Sequence, residues 1–569
     1  MNKQFSTRIR IVLAGIVCIT VVFTLKLFQV QVIQHDYFID RADRQYVRPN
    51  YSIFDRGSIF FTTRDGEKIP AAKVDHGYLM AIKPSDVSDP EYAYEKLNEI
   101  INIDRDKFLN SASKIDDPYE EIADRITAKE RDLIEELDID GVSLYKKSWR
   151  YYPAADKAAN AVGFLSYDEN SELSAQYGLE KYYDDTLKRD TDNVYVNFFV
   201  EIFTSFKENV VNGAERPGDI VTTIEPTVQK YLEDEIKGIS DKYLSKSVGG
   251  IVMDPNNGEI VAMASYPTFD LNNYGESSLS VLSNPNVEGV FEMGSIVKPL
   301  TVAIGLDTGD ITPDSIYNDT GSRELNGFTF WNYDHMARGE GTTMQEILNN
   351  SLNIGVAHIA IDEVGVKDFK KYMLKLVGEE TGIDLPREQA PLVHNLIGGK
   401  DIEYATASFG QGIALTPIVM IRALAALANG GYLVDPHVVS EIEYEIGPKK
   451  MVSFPEPEQV FSNKTSEDIS RMLVNVVDDA LLGGTVAKEN YSIAAKTGTA
   501  QLVDETGGYA EDKYLHSFFG YFPAYEPRFI VLLFTVEPQG EAYASHTLTH
   551  PFINITDFLL NYYNIPPDR

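Results

Sequence analysis

The sequence predicts an α+β protein. Its C-terminal half builds an antiparallel five-stranded sheet flanked by helices, with an all-helical subdomain between the strands. Three observations carry this expectation. Gly250-Ile251-Val252-Met253-Asp254 and Glu259-Ile260-Val261-Ala262-Met263-Ala264 are apolar, β-prone runs joined by Pro255-Asn256-Asn257-Gly258, a hairpin signal. Residues 295–480 are dominated by helical patterning, with Ile469, Met472, Leu473, Val476 and Val477 at i, i+3, i+4 spacing. Three more β runs follow at 492–500, 516–523 and 529–537, and a last helix covers about 550–563. Tyr525-Glu526-Pro527-Arg528 is the turn between the final two strands.

The chain has 569 residues, enough for two to four domains. Lys3, Arg8 and Arg10 precede an apolar run over 11–25, which continues past Lys26 through Leu27, Phe28, Val30, Val32 and Ile33. Gln29-Val30-Gln31-Val32 offers no small-x-small cleavage site, so the run reads as an uncleaved anchor. The expectation is a tail at 1–10, a transmembrane segment at 11–33 and a single pass of the cytoplasmic membrane. The basic residues place the N-terminus in the cytoplasm and everything later outside. Residues 35–48 have juxtamembrane helical spacing.

A mixed α/β domain is expected over 34–240. It holds a strand, turn and strand onset at 56–67, helices within 85–137, a small-residue helix at 154–162 and a helix from Gly178. Residues 190–216 are less regular. A strand at 218–224 and a helix at 226–236 close this domain, and a second domain covers 245–569.

Formal net charge is −35, from 51 basic and 86 acidic residues, which argues against nucleic acid as a partner. Solubility and a cation-rich medium account for this acidity equally well. Cys18 is the sole cysteine, which excludes an internal disulfide framework and a cysteine-based metal site. The nine histidines show no H-E-x-x-H spacing, so no metal and no cofactor are expected. Gly410-Gln411-Gly412 lacks the third glycine and the βαβ setting of a dinucleotide loop, and reads as a structural turn.

Ser295-Ile296-Val297-Lys298 places a hydroxyl and an amine three residues apart. On a helix they share a face, where the amine can take the serine proton. A serine activated by an adjacent base implies an acyl-enzyme. Ser351-Leu352-Asn353 and Lys496-Thr497-Gly498-Thr499 follow in order. Alone, the first is a helix cap and turn, and the second a strand end. The ordered set of S-x-x-K, S-x-N and K-T-G gives all three their weight.

The segment Phe291-Glu292-Met293-Gly294-Ser295-Ile296-Val297-Lys298-Pro299 resembles the F-E-P-G-S-x-x-K-P segment of class B penicillin-binding proteins, with Met293 in place of proline. The resemblance continues through Ser351-Leu352-Asn353, Phe409-Gly410-Gln411-Gly412-Ile413-Ala414-Leu415-Thr416-Pro417 and Lys496-Thr497-Gly498-Thr499-Ala500. Upstream, Arg56-Gly57-Ser58-Ile59, Arg150-Tyr151-Tyr152-Pro153 and Gly178-Leu179-Glu180 are similar to that family's non-catalytic pedestal domain. The resemblance thus covers nearly the whole chain.

The resemblance implies the penicillin-binding transpeptidase fold at 245–569 and a pedestal at 34–240. It implies a DD-transpeptidase that cross-links stem peptides and is acylated by β-lactams. Ser295 would be the nucleophile, Lys298 the base, Ser351 a proton relay and Asn353 a backbone ligand. Lys496, Thr497 and Thr499 would hold the terminal carboxylate, and Gly498 would let substrate approach the strand. Backbone N–H groups of Ser295 and Thr499 would form the oxyanion hole. The F-E-x-G-S form together with S-x-N favours the division branch over the elongation branch. Partners by analogy are a polytopic glycosyltransferase and division-complex proteins. The competing readings are an elongation enzyme, a DD-carboxypeptidase or β-lactamase, and a silent β-lactam-sensing scaffold. Arg56 and Arg150 are expected in buried ion pairs, Trp331, Tyr333 and His335 in core or surface roles or, as the alternative, lining the groove, and Tyr514 with loop 503–513 at the pocket border.

Overall fold

A computed structural model describes residues 54–167, 173–189, 216–445, 447–503 and 508–569. The expected tail at 1–10, the anchor at 11–33, the 35–48 helix and nearly all of 190–216 lie outside these residues. Among the described residues no helix is long and apolar enough to cross a membrane. The described chain forms two compact units, one of 77–147 and one of 55–76 with 148–569.

In the smaller unit, the end of strand Lys68–Ile82 pairs antiparallel with Glu120–Ile126. Helices Pro90–Asn98, Arg105–Ala112 and Ala128–Glu136 complete it. Met80, Leu97, Phe108, Ile122, Ile126 and Ile134 form its core. Asp89, Asp104 and Thr127 cap the three helices through their side chains. The strand Glu120–Ile126 corrects the helical reading of 85–137. Its two buried apolar residues stand four apart, a spacing that suits a helix as well as a strand.

The larger unit is built on the five-stranded antiparallel sheet the sequence predicts. Its strands are β1 (Ser247–Met253), β2 (Ile260–Tyr266), β3 (Ala494–Val503), β4 (Tyr509–Phe522) and β5 (Phe529–Val536), in spatial order β3-β4-β5-β1-β2. All eight residues of β5 are buried, as a strand covered on both faces requires. Helices α1 (Pro226–Tyr243) and α8 (Thr549–Tyr562) contribute to the apolar core on one side. Their Val228, Leu232 and Ile236, and Phe552, Ile555 and Leu559, meet Val252, Phe518 and Leu533 of the sheet.

The other face packs on helices α2 (Lys298–Thr308), α3 (Met344–Asn349), α4 (Asn353–His358), α5 (Pro417–Ala428) and α6 (Asn463–Asn475). The helix between β5 and α8 is the short α7 (Ala544–Thr547). Helix α2 is buried from Lys298 to Gly305, and Leu300, Val302, Ala303 and Ile304 are wholly buried. It is the central pillar on which the candidate site stands.

The middle of the chain is not all-helical. Ile316–Asp319 pairs with Gly339–Thr343, and Ser322–Leu325 pairs with Phe328–Trp331. The inner hairpin turns at Asn326-Gly327, both with positive φ, which the Asn-Gly dipeptide encodes and helical patterning obscured. Strand β4 begins seven residues before the expected position, at Tyr509. The expected helix at 154–162 shrinks to Ala159–Val162, because Ala155 and Ala158 both adopt left-handed φ. A further sheet joins Gly218–Thr222 to Val439–Tyr444 and to Ile59–Thr62.

Arg56 and Arg150 lie in the larger unit as expected of buried pairs. Arg56 Nε donates to Glu180 Oε2 at 2.6 Å and Arg150 Nε to Glu180 Oε1 at 2.5 Å. Arg56 also meets Asp184 at 2.7 Å.

Candidate active site

Every predicted site residue lies in the larger unit, where three segments converge beside edge strand β3. Ser295 sits in a single 3-10 turn, Gly294–Val297, that runs directly into α2. Lys298 is the first residue of that helix. Gly294 takes φ +62, and a Cβ there would stand 2.9 Å from the Thr499 carbonyl oxygen. Glycine is therefore what lets the nucleophile turn press against β3. Gly410 performs the same service from behind, since its Cβ would meet the Gly294 oxygen at 2.2 Å. The structural reading of Gly410-Gln411-Gly412 holds.

Lys298 is 1% exposed and donates to both the backbone oxygen and the hydroxyl of Ser351, the latter at 3.0 Å. Burial, then the charge of Lys496, pushes its amine well below the usual lysine range. Ser295 is half-buried, and its hydroxyl makes no hydrogen bond among the described residues. Ser351 joins α3 to α4 in a left-handed conformation, φ 53°, and caps neither helix. That conformation turns its carbonyl and its hydroxyl to the same amine.

Asn353 opens α4 and donates through Nδ2 to the Trp331 carbonyl at 2.8 Å. Its Oδ1 stays available as an acceptor. Asn332 holds this wall together. Its Nδ2 donates to both Asp319 oxygens and to the Met336 carbonyl, while its Oδ1 accepts from Ile354 N at 3.1 Å. Sequence reasoning missed Asn332, because one asparagine beside two aromatics carries no spacing signal. Trp331 and Tyr333 are exposed, and the Trp331 backbone serves Asn353.

On β3, Lys496, Gly498 and Ala500 point to one face, and Thr497 and Thr499 to the other. Lys496 is buried, and burial lowers its amine to about 8. Thr499 Oγ1 accepts from Ala544 N at 3.1 Å. Gly498 has a role within the protein itself. A Cβ there would meet Ser517 Oγ at 2.4 Å, Met293 O at 2.6 Å and Ile296 N at 3.0 Å. Its bareness accommodates the protein's own nucleophile turn. Ser517 reinforces the approach by donating to Met293 O at 2.7 Å.

Glu292 was another unread signal. It accepts from Gly412 N at 3.0 Å and from the Tyr509 hydroxyl at 2.9 Å. Burial raises its carboxyl above the usual range. It thereby ties the segment before Ser295 to the β3–β4 hairpin. Tyr514 belongs to β4, and residues 504–507 of the neighbouring loop lie outside the described residues.

Comparison with known proteins identifies the family. The family model of the penicillin binding protein transpeptidase domain matches residues 248–556. Stage V sporulation protein D of Bacillus subtilis is 30% identical, covering 88% of this chain and 77% of that protein. Peptidoglycan D,D-transpeptidase FtsI of Escherichia coli is 27% identical, covering 98% of this chain and 92% of that one. Among solved structures, penicillin-binding protein 3 of Mycobacterium tuberculosis in its apo form is 26% identical with a TM-score of 0.64, covering 74% of this chain and 92% of that one. The fold and the matched span define a serine acyltransferase domain of the penicillin-binding type. The chain belongs to the penicillin-binding protein transpeptidase family, in its class B branch.

Proposed function

We propose that the protein is a peptidoglycan DD-transpeptidase of the division type, acting through an acyl-enzyme on Ser295. The observation that carries this reading is Lys298, a buried amine one helical turn from the Ser295 hydroxyl and deprived of a carboxylate. Such an amine can be neutral and can accept a proton at neutral pH.

In this reading Lys298 takes the Ser295 proton as Oγ attacks the penultimate D-Ala carbonyl. The backbone N–H groups of Ser295 and Thr499 receive the oxyanion, and losing one such donor costs on the order of 3 kcal/mol in the barrier. The C–N bond breaks, and Lys298 returns its proton to the departing D-Ala amine through the Ser351 hydroxyl. An acceptor amine then attacks the ester, its proton leaves by the same path, and Ser295 is regenerated. Lys496 remains mostly charged at pH 7 and, with the Thr497 and Thr499 hydroxyls, holds the terminal carboxylate. Asn353 Oδ1 accepts from the donor peptide backbone. A β-lactam follows the same route and stops at the acyl-enzyme.

The proposal includes an anchor at 11–33 with the N-terminus in the cytoplasm, a pedestal at 34–240 and the transpeptidase domain at 245–569 outside the membrane. A polytopic glycosyltransferase supplies glycan strands, and division-complex proteins bind the assembly. The basic residues before the apolar run and the family analogy support these points.

The test uses the full-length chain in detergent with a fluorescent penicillin, comparing wild type with Ser295→Ala. Stable labelling that disappears in the variant supports the reading. Rapid turnover of the drug favours the hydrolase reading, and no label on wild type refutes acylation. The likeness to the sporulation protein favours a second reading, cross-linking during spore formation. Depletion separates the roles: filaments indicate division, a defect confined to spores indicates sporulation, and round cells indicate elongation.

A further inference from the structure

Behind edge strand β3, a buried chain of hydrogen bonds ends on Thr499. His516 lies directly opposite Thr499 in the β3–β4 ladder. Directly paired residues present their side chains on the same face of the sheet. His516 is fully buried, and its Nδ1 is 2.9 Å from Thr547 Oγ1. Thr547 Oγ1 lies 3.2 Å from the Ala544 carbonyl, and the Ala544 N–H donates to Thr499 Oγ1 at 3.1 Å. Both links pass through α7. That short helix has a second mooring, since the Tyr243 hydroxyl donates to the His546 carbonyl at 2.9 Å. Burial drives the His516 imidazole down to about 4, against the weaker opposing pull of the Ala542 carbonyl and Glu541. The ring is thus a permanent neutral hydrogen-bonding group at working pH. It stands behind Thr499, outside direct reach of the serine chemistry.

We propose that His516 and Thr547 are positioning residues that aim the Thr499 hydroxyl and thereby set affinity for the substrate carboxylate. This rests on the transpeptidase reading, in which Thr499 holds that carboxylate. A threonine hydroxyl at a sheet edge is otherwise a rotor. Accepting the Ala544 N–H uses one lone pair and fixes χ1, so the hydroxyl proton is left for a partner on the open side of the strand. A donor aimed before binding avoids reorganisation when the anion arrives. Ala544, Thr547 and His516 are each buried, so the aim is set by packed groups rather than by solvent. The short α7 carries no ligand itself in this scheme. It transmits the position of β4 to the edge of β3.

The test is a double-mutant cycle on the full-length chain in detergent, with a fluorescent penicillin as the carboxylate-bearing probe. The pre-covalent dissociation constant is resolved from the limiting acylation rate. Thr547→Val, nearly the same shape, is expected to weaken pre-covalent binding roughly 5- to 10-fold, the worth of one hydrogen bond. The limiting rate is expected to change less than about twofold, since the transmitted effect is on ground-state binding. His516→Asn, whose amide can occupy the Nδ1 position, is expected to retain binding where His516→Phe loses it. In a Thr499→Val background, Thr547→Val is expected to add less than about twofold, because the hydroxyl it aims is gone. Equal losses in both backgrounds, or a loss confined to the limiting rate, overturn the proposal. If Thr547→Val does not fold, the His516→Asn and His516→Phe pair decides the same cycle. Wild type that takes no label refutes the transpeptidase reading. Wild type that labels normally while the cycle is additive refutes only the positioning role.

Discussion

Around Glu180 two guanidinium groups are buried against carboxylates. Beside Ser295 two ammonium groups are buried with no carboxylate paired to either among the described residues. In the first cluster Arg56 and Arg150 share Glu180, and Asp184 adds a second negative charge. The positive and negative charges balance. Desolvation alone would lower Arg56, but Glu180 and Asp184 outweigh it and raise its affinity for a proton. In the second cluster Lys298 meets only the oxygens of Ser351, and Lys496 only the Thr497 carbonyl at 3.2 Å. Desolvation there goes unopposed, and both amines fall below their ordinary range. Similar burial therefore accompanies a permanent structural cation in one place and a proton acceptor in the other. Two variables act together: the guanidinium holds its proton wherever it sits, and the neighbouring carboxylates compensate its burial, whereas the amines have the lower intrinsic basicity and no such anion.

The largest test of that contrast is Lys298→Arg. Arginine keeps its proton at any working pH, so the charge stays and the base is removed. Acylation by a fluorescent penicillin is expected to fall on the order of 10²- to 10⁴-fold, the usual worth of general-base catalysis. Near wild-type acylation would show that Lys298 is not the base. The mirror experiment is Glu180→Gln, which leaves two buried guanidiniums without their shared anion. Removing one partner of a buried pair costs about 3–5 kcal/mol of stability. Urea unfolding measures the loss, while acylation measured well below the transition is expected to stay within about twofold. A stability change under about 1 kcal/mol would mean that Glu180 is not what compensates the arginines.

The two clusters were not equally legible in the sequence. The lysines were readable because S-x-x-K and K-T-G carry fixed spacing, and the five-stranded sheet because β1, β2 and β5 are largely apolar runs. Arg56 and Arg150 were readable only through the family resemblance. Their partner Glu180 stands 124 residues from Arg56, a separation no local pattern spans. Asn332, Glu292 and His516 were not legible as site supports. Each acts through a contact made by tertiary packing, and none has a periodic neighbour. Gly498 was recognised for the right property, and the structure adds the nucleophile turn as a neighbour that needs it. A sequence shows that a Cβ is missing, but not which atoms occupy its space.

Lys496 sharpens the comparison through pH. Its amine titrates at about 8 in the folded chain, against 10.5 ordinarily. Below pH 8 the group is charged in both states, and the full penalty of burying that charge is present. Between about pH 8 and 10.5 the unfolded chain binds more protons, so stability rises with pH and the penalty disappears. Its size is on the order of 3 kcal/mol. Lys496→Met is therefore expected to stabilise the fold at pH 7 and to weaken acylation by an anionic β-lactam. The gain in melting temperature should shrink steadily as pH approaches 10. Parallel curves for variant and wild type across that window would remove the buried charge as the cause.

The smallest effects come from a pair of glycines that differ only in what surrounds them. At Gly498 an added methyl meets Met293 O and Ile296 N, backbone atoms on either side of the nucleophile. Overpacking of this kind costs about 1–3 kcal/mol, and it acts on the turn that places Ser295. Gly498→Ala is expected to lower acylation on the order of 10²-fold, since a displacement near 1 Å is enough for that. At Gly238, inside α1, an added methyl meets nothing within 4 Å. Gly238→Ala is expected to raise stability by about 0.5–1 kcal/mol, because alanine loses less backbone entropy in a helix, and to leave acylation unchanged. One methyl thus has opposite signs at two positions of the larger unit. If Gly498→Ala acylates like wild type, the nucleophile turn has room to yield, and the tight approach of Ser295 to β3 is not what sets the site.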